Sequence, residues 1–95
     1  MTVEELRLEL EKIITSLNSS GFTAIEAGIS DNLDKLSASA NELGMQQGKQ
    51  LIDNLTGAIK AIQEGKSQAE SGTIRLTALD FYVKKLSGND NIEDL

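Results

Sequence analysis

The chain has 95 residues, fifteen acidic against nine basic, a net charge of -6 at pH 7 and a sequence pI near 4.5. It contains no cysteine and no histidine, which removes disulfides, thiolate zinc sites, Cys–His nucleophile pairs and imidazole acid–base chemistry at once. The acidic balance argues against phosphate backbones and anionic headgroups as partners, so neither nucleic acid nor membrane is expected.

That length supports one domain, whose core must hold by packing alone. Proline is absent, only Phe22, Phe81 and Tyr82 are aromatic, and Leu, Ile, Ala, Glu, Lys and Gln dominate. This is the composition of helices rather than strands. The opening MTVEELRLELEK carries acids where a signal peptide needs a basic end and an unbroken apolar run, so a soluble, cytoplasmic protein is expected.

Thr2 and Glu5 stand three apart ahead of an apolar series, the spacing of a reciprocal capping box, and predict a first helix starting there. Val3, Leu6, Leu10, Ile13 and Leu17, widened by Ile14, form its buried stripe, with Leu8 off the stripe. Asn18-Ser19-Ser20-Gly21 then turns the chain. Thr23 with Glu26 repeats the capping spacing, and Ile25, Ile29, Leu33, Leu36, Ala40 and Leu43 continue on one helical face. Gly28 weakens this stretch, and Ser30 or Asp31 could cap a fresh start. Both one bent helix and a short turn followed by a longer helix fit the pattern.

Gly44 follows Leu43 where a glycine can take positive φ and close a helix. Met45, Gly48, Ile52, Leu55, Ile59 and Ile62 predict a third helix, widened by Leu51 and Ala58 and stopping near Gly65, with Gly48 and Gly57 as places for a close neighbour. Ser67 with Glu70 gives another capping pair. Gly72, Leu76, Leu79, Tyr82, Val83 and Leu86 line a last helix ending at Lys84-Lys85 and Gly88. Short connections favour antiparallel neighbours, hence an all-α, up-down-up-down four-helix bundle over residues 1–88, with 89–95 as an acidic, frayed tail.

No constellation for chemistry emerges. Without histidine there is no Glu-x-x-His di-metal motif. Glu4, Glu5, Glu9 and Glu11 crowd a helix start, where negative charge complements the dipole and a solvated face is the simpler reading. Tyr82 could donate a proton, yet its pattern puts it at the edge of a core face. No phosphate-binding glycine loop is present. The chain is expected to be no enzyme and to hold neither cofactor nor metal.

The stretch Asp34 to Met45, DKLSASANELGM, differs from the rest. Ser30, Asp34, Ser37, Ala38 and Asn41 share a face beside the buried one, leaving a flat strip of short side chains. Such a strip serves either tight internal packing or a partner-docking surface.

This stretch resembles the signature of histidine-containing phosphotransfer domains, roughly H-x-L-K-G-S-x-x-x-L-G. Leu36 matches the leucine, Ser39 the serine and Leu43-Gly44 the closing pair, while Ala38 stands at the glycine. The resemblance implies an antiparallel four-helix bundle whose phosphorylated residue projects from the second helix, with the Leu-Gly pair turning the chain into the third. Asp34 occupies the place of the phospho-accepting histidine and Ser37 that of the usual lysine. No imidazole nitrogen is there to carry a phosphoryl group, and a carboxylate repels an incoming acyl phosphate, so relay activity is expected to be absent. The docking face is what the resemblance leaves: a surface of Asp34, Lys35, Ser37, Ala38 and Asn41 for a receiver-like or kinase-related protein. The alternative is a structural bundle that self-associates, with no signalling role.

Overall fold

The computed structural model describes residues 1–22, 25 and 27–88. They form four α-helices: α1 (Val3–Ser20), α2 (Ile29–Glu42), α3 (Gln46–Gln63) and α4 (Ala69–Gly88). No strand occurs among them. Each helix packs on its sequence neighbour and α1 closes against α4, with α2 and α3 sharing the most extensive contact. The result is an all-α, four-helix arrangement in up-down-up-down order.

Helix α1 starts as its capping spacing predicts. The Thr2 hydroxyl accepts from the Glu5 backbone N–H at 3.1 Å, and the Thr2 N–H donates to the Glu5 carboxylate at 2.8 Å. Leu6, Leu10, Ile14 and Leu17 are its buried residues, and Leu8 points outward. Of the alternatives around Gly28, the chain takes the turn: Gly28 has φ 90°, and α2 begins afresh at Ile29. The Thr23–Glu26 capping pair lies outside the described residues, as does the proposed tail over 89–95.

The α2–α3 connection is a glycine-closed helix end. Gly44 has φ 77°, its N–H reaches the Asn41 carbonyl at 3.1 Å, and the Met45 N–H reaches Ala40 at 2.9 Å. This is the paired 5→2 and 6→1 pattern that a left-handed residue makes possible. The same pattern ends α3, where Gly65 N–H bonds Ile62 and Lys66 N–H bonds Ala61. Helix α4 begins at Ala69, one residue later than a Ser67 cap requires.

The core is built from Leu6, Leu10, Leu17, Leu33, Ile52, Leu55, Ile59, Leu79 and Val83, all under 2 % exposed. Two aromatic rings lie on glycines. The Tyr82 ring covers Gly48, where an added Cβ would meet its hydroxyl at 2.8 Å, and the Phe22 ring covers Gly72, where a Cβ would meet Cε1 at 2.6 Å. Gly57, read as another close approach, has open space beside it.

Candidate docking surface on the second helix

Asp34, Ala38 and Asn41 recur at i, i+4 and i+7, so they stand in one row along α2. All three are exposed, as is Lys35 beside them. Core-facing Leu33, Leu36 and Ala40 lie on the far side of the helix and are buried. The strip is therefore a carboxylate, a methyl and an amide in a row, flanked by one ammonium.

Ser37 does not belong to that open strip. It is only 6 % exposed, because its position on the helix points it toward α3, the neighbour that covers α2 most closely. Its hydroxyl donates to Asp53 Oδ1 at 2.6 Å, and the other carboxylate oxygen accepts from Lys49 Nζ at 2.8 Å. The residue expected at the surface thus ties α2 to α3 from beneath the row. Sequence periodicity could not show this, because both Asp53 and Lys49 come from another helix.

Lys49, and then the Ser37 hydroxyl, hold the Asp53 carboxyl below its ordinary value against a smaller opposing effect of burial. A carboxylate depressed in the folded state adds stability above the unfolded value of about 3.9, and that contribution is lost as pH falls through the lowered folded value. Ser37→Ala is therefore expected to destabilise the protein at pH 7 and to flatten the acid limb of its stability profile. Urea denaturation at intervals between neutral and strongly acidic pH, with both proteins measured side by side, checks this.

Two further contacts border the row. Lys60 of α3 approaches Asp34 at 4.0 Å, with both side chains more than half exposed, so the pair is screened by solvent and holds Asp34 weakly. Gln46 donates to the Asn41 side-chain oxygen at 3.0 Å across the Gly44 turn. Toward α1, Lys35 edges a shallow hollow with Asn32, Leu36, Ile13 and Lys12. Asp34 keeps an accessible carboxylate with the Lys60 ammonium 4.0 Å away, while the exposed Lys35 lies on the α1 side of the row.

Elsewhere, burial raises the Tyr82 hydroxyl, opposed by a hydrogen bond from the Gly48 backbone. The residue is 4 % exposed and borders the open groove between α3 and α4, at the edge of the core as its pattern predicts. Among the described residues, no group of three or more Asp or Glu is placed to hold a metal ion, and no helix is long and apolar enough to cross a membrane.

Fold and surface together define the class: an all-α four-helix chain with a short-side-chain row on its second helix. Compared with known proteins, it matches no family model, no curated sequence and no solved structure.

Proposed function

We propose that the chain is a non-catalytic, phosphotransfer-like interaction module that binds a receiver-like or kinase-related signalling protein through the outer face of α2. Asp34, Lys35, Ala38 and Asn41 make the contact, and Ser37 anchors the face to α3. The observation that carries the proposal is the exposed Asp34–Ala38–Asn41 row on the second of four sequentially packed helices, closed by Leu43-Gly44. Short side chains let a partner helix come close, while the carboxylate and the neighbouring ammonium groups set its register.

A carboxylate in place of an imidazole offers no nitrogen nucleophile, so binding proceeds without phosphoryl transfer. Titration of the protein against receiver domains of its source organism tests the proposal by calorimetry. Saturable binding with a dissociation constant on the order of 10 µM is expected, the range of a small transient interface. Asp34→Lys should weaken it by about tenfold or more, because charge reversal at a contact adds repulsion to the lost attraction. No binding to any receiver or kinase domain contradicts the proposal. Asp34→His is expected to gain slow labelling by a phosphorylated receiver, which the native chain lacks.

A further inference from the structure

Helix α4 is apolar on two sides. One side supplies Leu76, Leu79, Val83 and Leu86 to the core. The other carries Ile74 at 60 % exposure and Phe81 at 64 %. With Ala78 between them, they repeat at i, i+4 and i+7 and form one outward stripe. Glu70 and Lys85, both exposed, lie on the same face at its two ends. The Lys85 ammonium sits 5.1 Å from the Phe81 ring centroid, which extends the stripe with a cation. Beside it runs an open groove of about 570 Å³ whose other wall is Gln47 and Leu51 of α3.

We infer that this stripe is the contact between two copies of the chain, packed α4 against α4 in antiparallel. The stripe is complementary to itself when reversed. Turned end for end about the midpoint of Thr77 and Ala78, Ile74 meets the partner's Phe81 and Phe81 meets the partner's Ile74. In the same register Glu70 comes level with the partner's Lys85, and the twofold axis repeats that pair. An isologous interface needs this property, since one patch must match itself under the rotation. The charged pairs lie about 22 Å apart along the helix, at 1.5 Å per residue, and bracket the apolar centre.

Acid and base at opposite ends also disfavour the parallel arrangement, in which Glu70 would face the partner's Glu70. Helix α2 does not neighbour α4 in the packing order, so the pairing leaves the Asp34 row open on both copies. The inference stands independently of the function proposed above.

Sedimentation equilibrium of the full chain from about 5 µM to 1 mM, at an ionic strength near 0.15 M where the Debye length is about 8 Å, tests it. A reversible dimer is expected, with a dissociation constant on the order of 10–100 µM for so small an interface. Phe81→Ser should weaken it at least tenfold. Glu70→Lys and Lys85→Glu should each weaken it roughly three- to tenfold. An equimolar mixture of those two variants should restore association, because every cross-pair is then opposite in sign. A monomer at 1 mM overturns the inference. So does a dimer indifferent to these changes, or one that forms only after residues 89–95 are removed.

Discussion

Phe22→Ala is expected to lower stability by about 3–5 kcal/mol, and in its presence Gly72→Ala is expected to change from harmful to helpful. Phe22 follows α1 and is 6 % exposed, buried in the core cluster with Leu17 and Leu76. Its ring lies flat against Gly72 in α4: an added Cβ would sit 2.6, 2.7 and 2.8 Å from three ring atoms. Three neighbouring atoms of a rigid ring cannot be relieved by one rotamer change, so the ring or the helix must shift. Overpacking of this kind costs about 1–3 kcal/mol. The helix itself prefers alanine to glycine by about 1 kcal/mol, which offsets part of that cost. The net loss in the native background is therefore about 0–2 kcal/mol. Once the ring is gone, only the propensity term and the partly filled cavity remain, and both favour alanine. Urea denaturation of both single variants and the double variant measures the coupling. Additive effects would contradict the ring-on-backbone contact.

Leu33 and Asp34 are adjacent in sequence but should respond in opposite ways. Leu33 is 0 % exposed in the core, whereas the Asp34 side chain is 55 % exposed. Leu33→Ala removes buried methyl groups between packed helices and should cost about 2–5 kcal/mol. Asp34→Ala gives up one long, solvent-screened approach to Lys60 and should stay within about 0.5 kcal/mol. Thermal and urea melts of the two variants make the comparison. The contrast matters for function as well: a folded, equally stable Asp34→Ala protein assigns any loss of binding to the surface, which Leu33→Ala could not do. A large destabilisation by Asp34→Ala would mean that the carboxylate supports the fold.

The helices were legible because their signals are local. Thr2 and Glu5 marked a start through a spacing that one turn of helix satisfies by itself, and Leu43-Gly44 marked an end through a conformation that glycine adopts without strain. The outward position of Asp34 and the inward one of Leu33 followed from the same periodicity. Ser37 was misplaced because a residue on the flank of a helix is open or covered according to which neighbour leans over it. Asp53, sixteen residues away, decides that. Tyr82 took the edge position its pattern implied, but the fit of its ring on Gly48 is a complementarity visible only when two helices meet. The α4 stripe was hidden by the stronger core pattern on the same helix: Ile74 and Phe81 fell outside the expected stripe, and their outward alignment depends on the rotation that burial of Leu76, Leu79 and Val83 imposes. The Asp34 row itself could be read, but the lysine from α3 beside it could not.

Amide chemical-shift mapping of the isotope-labelled chain, titrated with a receiver domain that binds it, tests the docking face most directly. The largest perturbations should fall on Asp34, Lys35, Ala38 and Asn41, extend to Lys60, and vanish with Asp34→Lys while the remaining spectrum stays folded. Perturbations gathered on Ile74, Phe81 and Lys85, with the α2 row unmoved, would contradict the account.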